Sequence, residues 1–150
     1  MASYTQVLVG TDGSESSFRA VDRAALIAHD AGATLHLVSA YRPLTPRDRE
    51  RAAAEIGEIA YRVAGSGPAD DALTAAADRA GKVGATDIQK HAIEGDPVDV
   101  LLDAAGTVHA DLLVVGNRGL NSLAGRLLGS VPQNVSHKAP CDVLIVHTTG

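Results

Sequence analysis

The sequence predicts an α/β protein, with a doubly wound parallel sheet of five strands ordered 3-2-1-4-5 and helices on both faces. Short apolar segments alternate with helix-like segments along all 150 residues, and such alternation favours parallel strands joined by right-handed crossovers. Hydrophobic residues make up 45% of the chain and charged residues 21%, which is ordinary for a globular domain. With one Phe and no Trp, the core is expected to be aliphatic. The length fits one domain covering residues 1–150.

Two strands and a helix are predicted in the first 41 residues. Gln6–Gly10 is a short apolar segment that leads into the turn sequence GTDGS, and a helix follows for which Asp12 or Ser14 is the N-cap. Gly32 is expected to end this helix, because glycine is common just past a helix C-terminus. Thr34–Tyr41 is the second strand.

The rest of the chain continues the alternation. The other predicted elements are helices at residues 47–59, 69–80, 97–105 and 130–138 and strands at residues 88–93, 111–115 and 142–147. Residues 65–68, Gly-Ser-Gly-Pro, are expected to interrupt the helical pattern between the first and the second of these helices. The third strand is more polar than the others, which predicts a position at a sheet edge. Asp96 and Pro97 are typical of a helix start, and Gly106 is expected to end that helix. The residues expected to be buried on this helix are Val98, Leu101, Leu102 and Ala105.

A glycine-rich segment at residues 116–130, GNRGLNSLAGRLLGS, follows an apolar strand and opens a helix. Glycines let a backbone approach a ligand closely, and the N–H groups at a helix start can bind an anion. The segment matches neither GxxxxGK[ST] nor GxGxxG. Residue types alone leave two interpretations open: a phosphate-binding segment, or glycines that serve only turns and caps.

The position of this segment in the predicted sheet favours ligand binding. In the order 3-2-1-4-5 the strand order reverses between strands one and four, and ligands bind beyond the C-terminal ends of strands at such a point. Residues 10–14 follow strand one and residues 116–130 follow strand four. Two glycine-rich segments are therefore expected to meet at one crevice.

The spacing Gly116-x2-Gly119-x9-Gly129-Ser130 resembles the G-x2-G-x9-G-[ST] signature of nucleotide-binding members of the universal stress protein family. The resemblance extends over essentially the whole chain. Further similar segments are VGTDGS at residues 9–14, GDP at 95–97, DLLVVG at 111–116 and APCDVLIV at 139–146.

This resemblance implies an adenine-nucleotide site. Asp12 and Gly10 would meet the adenine and its ribose, and Ala40 would line the base pocket through its backbone. Residues 116–119 would wrap the ribose and first phosphate, and residues 129–131 would present helix-start amides to the phosphate. The implied site consists of Gly10, Thr11, Asp12, Ala40, Gly116, Asn117, Arg118, Gly119, Gly129, Ser130 and Val131.

The resemblance implies two candidate ligands, ATP and cyclic AMP, the second of which is bound by small single-domain members that this chain resembles. Residues 116–130 contain no lysine, which favours a singly charged cyclic phosphate over a triphosphate, although Mg²⁺ could neutralise ATP. The predicted function is sensing or sequestering the nucleotide without turnover, with no catalytic residue. Two alternatives are a slow ATPase or phosphoryl-transfer enzyme that uses Asp12, and an interaction module with a vestigial nucleotide site.

The charge, the apolar runs, and the cysteine and histidine positions argue against several other classes of partner and site. Thirteen basic and eighteen acidic residues give a net charge of −5, which argues against nucleic acid or an anionic membrane as a partner. No apolar run reaches the length of a membrane span, and a cytoplasmic location is expected. The single Cys141 allows no internal disulfide, and the six histidines show no metal-ligand spacing.

The last predicted strand, at residues 142–147, is almost wholly apolar but would lie at an open edge of the sheet. An exposed hydrophobic edge strand promotes aggregation unless something covers it. The simplest cover is the same strand of a second copy. The sequence therefore predicts a homodimer formed through this strand.

Overall fold

The structure, a computed structural model, describes residues 3–42, 67–117 and 130–148. The predicted helix at residues 47–59 lies outside the described residues, as do Arg118, Gly119 and Gly129 of the predicted site. The elements are β1 (Gln6–Gly10), α1 (Glu15–Ala31), β2 (Thr34–Tyr41), α2 (Gly67–Val83), β3 (Ile88–Glu94), α3 (Pro97–Thr107), β4 (Leu112–Gly116), α4 (Ser130–Lys138) and β5 (Asp142–Val146).

All five strands form one parallel sheet in the order β3-β2-β1-β4-β5, which confirms the predicted fold class and strand order. Side chains of β1 and β4 alternate between two aliphatic cores. Val7, Val9 and Val114 face the core that contains residues of α1 and α2, whereas Leu8 and Leu113 face the core that contains residues of α3 and α4. Burial on both faces explains why these strands are continuously apolar.

Two helix predictions need correction. The predicted interruption at residues 65–68 is wrong at its end, because Gly67 and Pro68 belong to the first turn of α2, where the missing proline N–H has no helical partner to lose. In α3 the predicted buried stripe included Val98 and Leu102, which are only half-buried. Val100 and Ala104 are buried instead, and both belong to the core beneath β1, β2 and β4.

Several local signals are confirmed. Gly32 ends α1 in a left-handed conformation with φ 67°, and its N–H contacts the carbonyls of Ala28 and His29. Asp96 is the N-cap of α3 and accepts hydrogen bonds from the N–H groups of Val98 and Asp99. These caps fix where each helix begins and ends relative to the sheet.

Asp111, immediately before β4, fixes that strand beside β1. Its carboxylate accepts hydrogen bonds from the N–H groups of Thr5 and Gln6, both at 2.9 Å, and from the Thr5 hydroxyl at 3.1 Å. Burial by itself would raise the pKa of Asp111, but these hydrogen bonds hold it below its ordinary value of 3.8. The clamp aligns the two strands whose opposite ends form the candidate site.

The two outer strands differ in character. β3 is mostly half-exposed or exposed, as its polar sequence predicts. β5 is apolar, yet its Ile145 side chain is 45% exposed. Within residues 3–42, 67–117 and 130–148, no helix combines the length and the hydropathy needed to cross a membrane.

Candidate functional site

The strand order reverses between β1 and β4, because β1 continues to β2 on one side and β4 continues to β5 on the other. β1 and β4 are adjacent and parallel, with Val9 opposite Val114. Their C-terminal ends therefore lie side by side, and the residues that leave them share one edge of the sheet. The pairing therefore places the residues that follow β1, Thr11 and Asp12, at the same edge of the sheet as Gly116 and Asn117.

The turn from β1 into α1 has a fixed shape. The Asp12 carboxylate accepts a hydrogen bond from the Ser14 N–H at 2.9 Å, and Ser14 is the N-cap of α1, accepting from the Ser17 N–H at 3.1 Å. Between them Gly13 has a φ of +84°, and a Cβ there would lie 3.2 Å from the Ala72 Cβ of α2. Ser14 is therefore the cap, Asp12 shapes the turn, and only glycine fits at position 13.

Thr11 is engaged inside the protein. It is buried, its hydroxyl lies 2.7 Å from the Ser17 hydroxyl and accepts from the Gly13 N–H, and its own N–H donates to the Val38 carbonyl at 2.9 Å. These contacts tie the turn to β2 and to α1. A direct contact between Thr11 and a ligand stays a prediction.

The exit from β4 is held by the last residue of β5 and by Thr148, which follows it. The Asn117 N–H donates to the Val146 carbonyl at 2.8 Å, and the Asn117 side-chain oxygen accepts from both the N–H and the hydroxyl of Thr148, each at 2.8 Å. A Cβ on Gly116 would lie 3.1 Å from the Thr148 Cγ2. Thr148 therefore occupies the space beside Gly116.

Thr148 also contacts α1. The sequence did not predict a role for this residue. Its hydroxyl lies 2.6 Å from the Ser16 hydroxyl, and its carbonyl accepts from the Arg19 guanidinium at 2.9 Å. A signal was available: residues just after β5 must lie at the same edge as residues just after β4, because parallel strands end together. Thr148 thus joins α1 to Asn117.

Apolar side chains lie at the same edge of the sheet. Ala40 and Ile93, near the ends of β2 and β3, and Val98, in the first turn of α3, are half-buried against the core that also contains Val131. Val131, in the first turn of α4, is buried. Ser130 is the first residue of α4, and its predicted contact with a phosphate stays a prediction. The edge thus combines polar turns with a partly open apolar surface.

A histidine pair lies away from this edge, in the middle of β2 and β3. The His36 Nδ1 is 3.0 Å from the His91 Nε2, and the His36 Nε2 is 2.6 Å from the Gln6 side-chain oxygen. Burial lowers the pKa of both histidines below 6.5, and for His36 the charge of His91 lowers it further while Asp87 opposes the shift. The sequence does not predict this pair, because strand pairing, and not chain spacing, brings the two rings together.

In the part of the chain that the structure describes, the histidine, cysteine and acidic side chains do not form a metal site. Among the described residues, no group of three or more His, Cys, Asp or Glu side chains is arranged to hold a metal ion. Cys141 is half-buried against the core of α3 and α4. Burial, and then the charges of Asp142 and Asp111, raise the pKa of the Cys141 thiol above 9.0, so the thiol stays protonated at neutral pH.

A five-stranded, doubly wound sheet with a strand-order reversal defines a small α/β protein, and proteins with such sheets bind ligands beyond the C-terminal ends of the strands at the reversal. The chain belongs to the universal stress protein family, whose family model matches residues 3–147. This assignment confirms the family resemblance seen in the sequence.

The relatives share this architecture over the whole chain. The universal stress protein Rv1636 of Mycobacterium tuberculosis is 52% identical over 149 residues, which cover 99% of this chain and 100% of the relative. The crystal structure of a universal stress protein in complex with cAMP is 47% identical, with a TM-score of 0.76 and coverage of 99% and 100%. An Archaeoglobus fulgidus universal stress protein in complex with dAMP is 23% identical with a TM-score of 0.69, covering 97% of this chain and 99% of its own, and this likeness shows the fold.

Proposed function

We propose that this chain binds an adenine nucleotide at the C-terminal edge of β1 and β4, with cyclic AMP as the preferred ligand and without turnover. The observation that carries the proposal is the adjacency of the Asp12 turn and of Gly116 and Asn117 at the strand-order reversal. The relative at 47% identity that has been crystallised with cAMP supports this choice of ligand.

In the proposed complex the polar and apolar parts of the edge have separate roles. Asp12 and Gly10 meet the adenine and ribose, and the half-buried Ala40 lies against the base. An apolar surface with a few convergent polar groups is typical of small-molecule sites. The remaining proposed contacts are Thr11, Gly116, Asn117, Arg118, Gly119, Gly129, Ser130 and Val131.

Charge favours the cyclic monophosphate. Residues 116–130 contain two arginines, Arg118 and Arg126, and no lysine, whereas the P-loop relies on a lysine to neutralise the terminal phosphates of ATP. A cyclic phosphodiester carries a single negative charge, which helix-start N–H groups can bind. ATP is the alternative ligand, and it would bring Mg²⁺ to neutralise its phosphates.

Isothermal titration calorimetry with cyclic AMP, AMP and ATP, each with Mg²⁺ and with EDTA, tests the proposal. We expect cyclic AMP to bind most tightly and independently of Mg²⁺. Tighter, Mg²⁺-dependent binding of ATP would replace cyclic AMP by ATP as the ligand, and release of ADP would show an enzyme. No binding by any nucleotide would overturn the proposal in favour of an interaction module.

Substitution of Asp12 tests the first half of the site. Asp12→Ala removes both the charge and the acceptor for the Ser14 N–H, and we expect cyclic AMP affinity to fall more than about tenfold, as for loss of a charged hydrogen-bonding group. Asp12→Asn removes the charge but retains an oxygen that can accept from the Ser14 N–H. It therefore separates an effect on the shape of the turn from an effect on ligand binding. Asp30→Ala, an exposed position at the end of α1, is the matched control and should bind normally.

The proposed functional unit is a homodimer of the single domain of residues 1–150, paired through residues 142–147. The exposed Ile145 on an edge strand supports this contact. The net charge of −5 leads us to expect neither nucleic acid nor an anionic membrane as a partner. The proposed location is the cytoplasm, where the Cys141 thiol would stay reduced.

A further inference from the structure

We infer that Thr148 is a positioning residue for the nucleotide site, whose backbone N–H and hydroxyl together hold the Asn117 carboxamide in the orientation that the ligand requires. The inference rests on the proposed function, because it concerns the same crevice. It adds a residue that lies beyond the last strand and outside the glycine-rich signature.

The hydrogen atoms of this cluster have one consistent arrangement. The Thr148 N–H and the Thr148 hydroxyl both donate to the Asn117 side-chain oxygen. A threonine hydroxyl has a single hydrogen, and this one is used toward Asn117. The Ser16 hydroxyl, 2.6 Å away, must therefore donate to the Thr148 oxygen. The hydrogen bonds run in one direction, from α1 through Thr148 to Asn117.

This arrangement determines how the carboxamide of Asn117 is turned. A backbone N–H can only donate, so the atom that faces the Thr148 N–H must be the side-chain oxygen, and the NH₂ group must point away from Thr148. The Asn117 N–H is also fixed, by the Val146 carbonyl at 2.8 Å. The backbone of the first residue after β4 is thus held by the last residue of β5, and its side chain is held by Thr148, which follows β5.

Thr148 is itself held firmly although it follows the last strand. It is only 4% exposed, and the Arg19 guanidinium binds its carbonyl at 2.9 Å. Valine has the same shape as threonine and would fill the same space, but it cannot donate to Asn117 or accept from Ser16. Comparing valine with serine at this position therefore separates hydrogen bonding from packing.

The test uses Thr148→Val, Thr148→Ser and the control Thr34→Val in the full chain. Thr34 also donates a side-chain hydrogen bond, to Asp87 at 2.8 Å, but at the opposite edge of the sheet. Calorimetry with cyclic AMP should show roughly three- to tenfold weaker binding for Thr148→Val. Thr148→Ser should restore the affinity to about twofold of the unsubstituted chain, and Thr34→Val should bind normally.

A second readout follows the Asn117 side chain directly. In ¹H–¹⁵N spectra of the ligand-free protein, the Asn117 NH₂ resonances should shift in Thr148→Val and stay near their original positions in Thr148→Ser. A role in packing alone would leave these resonances and the affinity unchanged in Thr148→Val. If Thr148→Val fails to fold, Thr148→Ala is compared with Thr148→Ser, because both lack the methyl group and only the serine keeps the hydroxyl.

The outcomes distinguish the inference from the proposed function. Normal affinity of Thr148→Val, with binding by the unsubstituted chain intact, overturns the inference and leaves the proposed function standing. Equal weakening in Thr148→Ser and Thr148→Val also overturns it, because the hydroxyl would then be irrelevant. No binding by the unsubstituted chain overturns both.

Discussion

At the scale of single residues, two different constraints can explain why position 116 is glycine. The glycine-rich signature predicts that Gly116 allows close approach of a ligand. The structure shows that the Thr148 methyl carbon lies 3.1 Å from the position that a Cβ at residue 116 would occupy. The φ of Gly116 lies outside the left-handed region that favours glycine. Packing against Thr148 is therefore a sufficient reason for glycine here, independent of any ligand.

This packing predicts a coupling between two positions. Gly116→Ala should lower the free energy of unfolding by about 1–3 kcal/mol, because an added methyl group overpacks a filled space. Thr148→Ser removes the Cγ2 methyl, so the double variant should lose less than the sum of the two single variants. Chemical denaturation of the three variants measures this coupling.

Gly106→Ala is the matched control for the glycine substitution. Gly106 lies in α3 with nothing within 4 Å of its virtual Cβ, so alanine should be neutral or stabilise the protein by up to about 1 kcal/mol. Additive effects of Gly116→Ala and Thr148→Ser would show that the methyl contact does not restrict position 116.

The pairing of β2 with β3 creates the His36 and His91 pair at the scale of elements. The rings are stacked with centroids 5.3 Å apart, and the two nitrogens that face each other, at 3.0 Å, share one hydrogen. If both rings were protonated, neither would have a lone pair to accept this hydrogen bond, and the charges would repel. The pair is therefore compatible with neutral histidines at neutral pH.

The lowered pKa of both histidines gives stability a defined pH dependence. The folded protein takes up these protons less readily than the unfolded chain, whose histidines titrate near 6.5. The stabilisation is thus fully present above pH 6.5 and is lost as the pH falls below it, by at most about 1.4 kcal/mol per pH unit for each histidine. The loss from Asp111 falls below pH 3.8, in a separate window.

Denaturant unfolding between pH 5 and pH 8 tests this expectation. His91→Gln removes one titrating ring but keeps a donor opposite the His36 Nδ1, so its stability should fall less steeply on acidification. His109→Gln, an exposed histidine between α3 and β4, is the control and should follow the unsubstituted chain. An identical slope for His91→Gln would contradict the assignment of this pH dependence to the pair.

At the scale of the whole molecule, the two edge strands of the sheet differ in polarity. β3 carries polar residues on its open edge, whereas β5 is apolar and ends in the residues that hold the candidate site. Because Asn117 contacts both Val146 and Thr148, the proposed dimer contact and the proposed ligand site share the β5 exit. Dimerisation and nucleotide binding are therefore expected to affect each other.

Substitution of Ile145 tests the dimer. Ile145→Lys would place an unpaired charge in the β5 contact, which should weaken the dimer by more than about tenfold. Leu26→Lys on α1 is a closely matched control, since Leu26 is 46% exposed and Ile145 is 45% exposed. Sedimentation velocity over a range of concentrations measures the dissociation constant. A monomeric unsubstituted chain, or equal effects of the two substitutions, would contradict pairing through β5.

The sequence predicted the features that depend on local chemistry. Alternation of apolar strands and helices was sufficient for the fold class, and Asp96, Pro97 and Gly32 marked helix ends because caps satisfy backbone groups within a few residues. The glycine spacing at residues 116–130 identified the family. The choice between Asp12 and Ser14 as the cap required coordinates, because either side chain can accept from a nearby N–H.

Tertiary structure alone decided which distant residues meet. Thr148 and Asn117 are 31 positions apart, and His36 and His91 are 55 positions apart, so no local pattern relates them. Their contacts follow from strand order and register, which place residues after β4 and β5 at one edge and the two rings on neighbouring strands. The sequence determined that a crevice should form between strands one and four. Only packing across the sheet determined that Thr148, beyond the last strand, holds Asn117 at that edge.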